Sequence, residues 1–242
     1  MMRISNKVFT AIILFLVMLG LFIGLYTKST FVNDLNFNAS NFKKINFQYD
    51  VDINKIFNNN INDFDNLKCN SPYIISVKPT GERIKYNMGL RTSVKVLNVY
   101  KDDEKMIKKG DTIYIFEPLV ISTNICISNS GSTPMVNNRE YVGCLKNIIK
   151  PPWYKYRNII EKRSFIPSSI FYGKFLLNEA TKSTKIDFGK SDIKCQELLN
   201  YDLVLLNEDS PLKGSEFFYK YDEVVKTYDK IKQNLKAFVL KK

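Results

Sequence analysis

The 242-residue chain contains no histidine, a single tryptophan, four cysteines, ten glycines and eight prolines. Without imidazole, Ser-His-Asp and Cys-His hydrolysis, HExxH zinc chemistry and His-ligated haem or copper are all excluded. So few cysteines rule out a disulfide-dense miniprotein, and the absence of any C-x-x-C pair leaves zinc and thioredoxin-like chemistry unsupported. Glycine and proline are too scarce for collagen, and a 45% hydrophobic content is too high for a wholly disordered chain. No G-x-x-x-x-G-K or G-x-G-x-x-G motif occurs, so a phosphate cradle has no sequence support. Acidic residues are also in deficit: 24 Asp and Glu face 36 Lys and Arg, a formal charge of +12.

One long apolar run is present. Arg3 and Lys7 precede residues 8–26, nineteen uncharged and mostly apolar positions that end at Tyr26 and are followed by Lys28. As a helix rising about 1.5 Å per residue the run is about 28 Å long, close to the thickness of a bilayer's hydrocarbon core. A cleaved signal peptide and a buried soluble helix are the alternatives. The run exceeds the usual signal-peptide core of about 7–15 residues, and only Thr27-Lys28-Ser29 offers small residues at cleavage spacing. The reading adopted is a single-pass membrane anchor over residues 1–29, with the N-terminus in the cytosol and the bulk of the chain outside. Long downstream domains translocate largely regardless of their charge. Gly20 and Gly24 stand at GxxxG spacing, a weak signal for packing two such helices.

Residues 30–66 are rich in Asn and carry isolated aromatics, which reads as a stalk with a short helix near residues 51–57. The rhythm Asp50-Val51-Asp52-Ile53-Asn54 opens like a calcium loop but fails at Lys55, where glycine is needed, and at Ile61, where a bidentate glutamate is needed. From about residue 67 strand patterns take over. Residues 72–77 form a β-favouring run that ends at a turn-like Pro79-Thr80-Gly81. Residues 92–100 alternate at Val94 and Val96, then slip phase at Leu97 and Val99 as a β-bulge requires. A charged loop holding Gly110 separates them from a strand over residues 111–116, stopped by Pro118. Residues 139–145 and 169–177 supply two more strand patterns. Five or so short strands with polar connections predict a small antiparallel barrel in an α+β chain, with a sandwich as the alternative.

The run from Val94-Lys95-Val96 through Lys108-Lys109-Gly110-Asp111-Thr112-Ile113-Tyr114-Ile115-Phe116-Glu117-Pro118, with Pro134-Met135, Glu140-Tyr141 and Leu145-Lys146 beyond it, resembles uncharacterised exported or membrane-anchored proteins of Gram-positive bacteria. Their core is in turn similar to OB-like barrels of the inhibitor/netrin type. The resemblance covers residues 67–178 and implies a mainly β, OB-like barrel over residues 67–190 and a location at the cell envelope. It carries no catalytic residues. Two positions depart from the pattern: Asp102 follows Lys101 where glycine is usual, and Cys144 stands where an apolar residue is commoner.

Residues 191–242 read as a loop followed by an amphipathic helix. Phe217, Tyr221, Val224, Tyr228, Ile231, Leu235 and Phe238 recur at alternating spacings of four and three. Such a stripe packs either along the barrel or, as a coiled coil, against a partner or a second copy of the chain, the latter giving a homodimer through residues 217–238. The four cysteines are Cys69, Cys126, Cys144 and Cys195. In an oxidising exterior Cys69–Cys195 is a candidate disulfide that would tie the stalk to the C-terminal region; free thiols are the alternative, and Cys144 fits a small core position.

Ser191-Asp192-Ile193-Lys194 matches S-x-x-K but lacks its companion motifs. Glu117, Glu140, Glu161 and Glu179 are the carboxylates from which a hydrolytic pair would be drawn. The segment with the chemistry of contact is Trp153, Tyr154, Lys155, Tyr156 and Arg157, continued by Lys162 and Arg163. Aromatic faces there would stack on a ligand, and the cations would meet phosphate or carboxylate. The alternative is a loop pinned to the barrel by Trp153. No catalytic set, cofactor or metal is expected. The function expected is therefore an extracytoplasmic binding module on a membrane tether, with a protein partner or an anionic envelope polymer as ligand. A carboxylate-pair envelope hydrolase and a single-stranded nucleic-acid binder are the competing readings.

Overall fold

In the computed structural model, residues 6–30, 44–48, 56–57, 60–86, 89–122, 125–129, 132–186, 199–206 and 221–241 are described. The chain divides into two units, Met1–Leu35 and Asn36–Lys242. The first holds helix α1, Asn6–Thr30. Its side chains from Ile12 to Tyr26 are exposed. Among the residues whose side chains are described, which in α1 run unbroken only over 12–26, no helix is long and apolar enough to cross a membrane.

The second unit is built on a long hairpin of β2 (Tyr73–Tyr86) and β3 (Gly89–Asp102). Tyr73, Ile75 and Val77 alternate with Ile74 and Ser76, and all five are buried. A strand with both faces covered needs a layer on each side, and the structure supplies two. β3 pairs with β4 (Thr112–Glu117), which runs parallel to β8 (Ser164–Pro167). β8 pairs with β7 (Tyr141–Asn147), which returns to β2. The order β2-β3-β4-β8-β7-β2 closes a five-stranded barrel with one parallel contact. Its interior is filled by Tyr73, Ile75, Val77, Val94, Val96, Ile113, Ile115, Tyr141, Leu145 and Phe165. Alternation then sends Ile74, Val142 and Cys144 outward into a second apolar layer.

Closing so small a barrel requires sharply bent strands, and the β2–β3 register slips at three places. Ile75 faces Val99 and Val77 faces Val96, which leaves Leu97 as the extra residue where the sequence pattern changed phase. The third slip falls between Pro79 and Arg83, around Gly81 at φ +95°. Positive φ is open to glycine at little cost. What the sequence presents as the turn-like end of a strand at residues 79–81 is thus a corner inside one continuous strand.

The outer layer is capped by α2 (Phe64–Cys69) and α4 (Tyr221–Leu240). Asp63 caps α2 by accepting from Asn66 N at 2.8 Å, and Phe64 and Leu67 turn inward. On α4, Val224, Tyr228, Ile231 and Leu235 are buried in this layer. Tyr228 lies on Phe175 with ring centroids 4.7 Å apart, and Phe238 meets Phe64 at 5.5 Å. The apolar stripe is thus covered within the chain, while Phe217 lies outside the described residues. Phe57, Ile61 and Phe64, assigned to the stalk from sequence, belong to this same core.

The expected strand over residues 169–177 gives way to a turn that ends in the two-residue β9, Lys174–Phe175. Gly173 explains why: a Cβ there would sit 2.3 Å from Pro167 Cβ and 2.4 Å from Ser169 O. The chain doubles back on β8 too tightly for any side chain. Gly173 O and Ser168 N pair with Cys144 N and O, both at 2.9 Å, so the turn edges β7 in place of a strand. Smaller sheets complete the unit: β5 (Leu119–Ser122) and β6 (Ile125–Asn129) with β1 (Lys44–Gln48), and the parallel pair β10 (Ser183–Ile186) and β11 (Leu203–Leu206).

Candidate binding groove

The segment linking β7 to β8, residues 148–163, makes one wall of a groove of about 330 Å³ on the barrel surface. The floor comes from Arg91 of β3, Phe116 of β4 and Ser164 of β8; the wall comes from residues 148–151, Tyr154, Tyr156 and Glu161. Two prolines, Pro151 and Pro152, disfavour a helix at the start of this link. Asn158 then starts the short helix α3 (Ile159–Lys162), its side chain accepting from Glu161 N at 2.9 Å.

Glu161 organises the wall. One of its oxygens accepts from Tyr154 OH at 2.9 Å and from Arg157 N at 2.8 Å. These two donors hold its carboxyl below the usual range, and the same bond pushes the Tyr154 phenol up. Lys150 Nζ stands 3.8 Å from the centre of the Tyr156 ring. On the floor the Arg91 guanidinium lies 4.9 Å from the centre of the Tyr114 ring. The groove is therefore mainly apolar and aromatic, with a cation on two sides and one bonded carboxylate.

The seven residues singled out from sequence separate into two sets. Tyr154 and Tyr156 line the groove; Trp153, Lys155 and Arg157 alternate with them and are exposed. Trp153 is 79% exposed, so it does not pin the link to the barrel. Lys162 is exposed as well. Arg163 faces the barrel end, its side chain 3.6 Å from Asp111 and its carbonyl accepting from Tyr114 N at 3.0 Å. Arg91, Phe116 and Ile148 were not marked by the sequence. Each sits in or beside an ordinary strand pattern, and only the fold shows that it faces the groove.

The four carboxylates are dispersed. Glu161 is the only one that lines the groove. Glu140 is exposed, and Glu179 stands 3.9 Å from Arg139. Glu117 is sealed inside, accepting from Thr92 Oγ1 at 2.5 Å and Met135 N at 2.6 Å, with Lys174 Nζ at 3.7 Å. Lys174 also donates to Thr133 O. Burial lowers its pKa, opposed by the attraction of Glu117 and Asp202. Nearby, Arg83 donates to Met135 O at 2.5 Å. Full desolvation of such a pair is tolerable only when the remaining polar atoms are bonded, as the Glu117 oxygens are here. This centre fastens residues 133–135 and β9 onto the barrel.

Among the described residues no group of three or more His, Cys, Asp or Glu is placed to hold a metal ion. Cys69 is exposed at the end of α2 and Cys144 is buried, both as thiols. Burial pushes the Cys144 thiol up to about 12. Cys195, the proposed partner of Cys69, lies outside the described residues, as do Asp50–Asn54 and the Ser191–Lys194 motif. Comparison with known proteins yields no matching family model and no matching curated protein.

Proposed function

We propose that the chain is a binding module with an OB-like barrel, held at the outer face of a membrane by α1, and that the groove beside residues 148–163 is its binding face. The single observation that carries this reading is the position of the groove. Counted from β2, the barrel strands run 1-2-3-5-4-1 with strands 3 and 5 parallel. In OB barrels ligands lie across strands 2 and 3 and against the loop joining strands 4 and 5. Here those parts are β3, β4 and residues 148–163, which meet at the groove. Support for the anchor is the neutral run of residues 8–26, helical throughout and exposed wherever its side chains are described.

The ligand class that suits the lining is an anionic envelope polymer with ring or sugar faces for Tyr154 and Tyr156 to stack on. The test is co-sedimentation of the full-length protein with isolated envelopes. Retention is expected to fall as salt rises, because the groove cations Lys150 and Arg91 are screened within about 8 Å at physiological salt. Tyr154→Ala combined with Tyr156→Ala should weaken it by at least about thirtyfold, taking stacking at about 1–3 kcal/mol per ring. Retention indifferent to both salt and substitution would refute the groove as the binding face.

A second reading, single-stranded nucleic acid, is favoured by the same two tyrosines on an OB-like face. It requires the barrel to meet nucleic acid, and a preference for oligonucleotide over envelope polymer in competition would select it. An acid–base hydrolase draws less support, since a groove with one carboxylate lacks the second group that glycoside cleavage uses.

A further inference from the structure

The outward side of residues 148–163 has a composition the groove does not explain. Outside α1 the described residues include five large apolar side chains that stand exposed, and three of them are here: Ile149 at 66%, Trp153 at 79% and Ile159 at 61%. The same sixteen positions carry five cations and one acid, Glu161, whose charge is already engaged by Tyr154 and Arg157. Lys155, Arg157 and Lys162 are exposed among the apolar three.

We propose that this outward side seats the folded unit on an anionic lipid surface. Ile149, Trp153 and Ile159 enter the headgroup–acyl boundary, and Lys155, Arg157 and Lys162 pair with headgroup phosphates. Three features favour lipid over a folded protein partner. The apolar side chains are spaced four and six residues apart and separated by cations, whereas the core of a protein interface is depleted of charge. Tryptophan has an apolar body and a polar N–H, the combination enriched at membrane interfaces. Finally, the surplus of positive charge complements an anionic leaflet. Ile149 stands at the rim and belongs to both sides, whereas Tyr154 and Tyr156 line the groove and Trp153, Lys155 and Arg157 are exposed outside its lining, so seating leaves the two tyrosines in place. The inference needs neither α1 as an anchor nor the groove as a ligand site.

Trp153 is the only tryptophan in the chain, so it reports its own surroundings. The experiment places the full-length protein in vesicles of phosphatidylglycerol or of phosphatidylcholine and records emission, acrylamide access and quenching by brominated acyl chains. In phosphatidylglycerol the emission should shift to the blue, and brominated chains should quench it. In phosphatidylcholine Trp153 should remain in water, although α1 partitions equally well there. The variant Lys155→Glu/Arg157→Glu/Lys162→Glu should raise the phosphatidylglycerol concentration needed for the shift by at least about tenfold, with an unchanged circular dichroism spectrum showing that it folds. The proposal is overturned if Trp153 stays water-exposed in phosphatidylglycerol. It is equally overturned if the shift is the same in phosphatidylcholine, or if a soluble polyanion without acyl chains produces the full shift.

Discussion

Cys144 shows how one position can be set by packing against chemistry. It lies mid-strand in β7 with its side chain wholly inside the outer layer, between barrel and α4. A thiolate there would be desolvated, so the folded state holds the proton to about pH 12 while a free thiol releases it near 9. The sign follows from linkage: the unfolded chain loses this proton first, so stability is full below pH 9 and declines between about 9 and 12. Tyr141, raised to about 12 from 10 by burial, adds a second loss over the upper part of that window. Each group contributes a slope of about 1 kcal/mol per pH unit. Denaturant unfolding measured from pH 8 to 11 should therefore show falling stability, and Cys144→Ala should flatten the first part of the fall. A variant with the same slope as the parent would show that the thiol is not sealed.

Among the elements, the turn between β8 and β9 is the tightest constraint. Gly173→Ala places a methyl group against Pro167 Cβ and the Ser169 carbonyl, neither of them the end of a flexible side chain. The turn must open, and with it go the two hydrogen bonds to Cys144 and the seating of Phe175 under Tyr228. A loss of about 1–3 kcal/mol is expected, the range of overpacked or strained core sites. Thermal unfolding measures it; an unchanged midpoint would mean that the turn relaxes freely. Such a turn is hard to read in advance. Phe171, Tyr172, Phe175, Leu176 and Leu177 have the composition of a strand, and the close approach that forbids one depends on β8, four residues long and ended by Pro167. The other elements were legible because their burial is local and periodic. Ile113 and Ile115 alternate into the barrel, the phase slip at Leu97 is a bulge in the ladder, and Val224, Tyr228, Ile231 and Leu235 make one buried stripe. The candidate site was half legible for the same reason. Its contiguous wall, Tyr154 and Tyr156, stands out in sequence, but Arg91 and Phe116 reach it only through barrel closure. The Glu117–Lys174 pair, 57 positions apart in the chain, was invisible.

At the scale of the whole molecule, the proposed reading is of a tether, a closed barrel and one loop with two faces. Each of the five barrel strands is paired with a neighbour on both sides. Exposed side chains with chemistry suited to recognition gather on residues 148–163. On the proposed topology, a net positive folded unit outside the cell would be drawn to anionic surfaces in general, a matter of encounter and not of fold. Tethering would add to it by raising the local concentration of the binding face near the envelope. All of this depends on which side of the membrane the barrel occupies. Protease treatment of intact cells that carry the full-length protein, tagged at each end, decides it. The C-terminal tag and residues 36–242 should be lost while an N-terminal fragment stays in the membrane fraction and resists alkaline carbonate. A barrel untouched until the cells are broken, or a chain that carbonate strips away whole, would contradict the proposed topology.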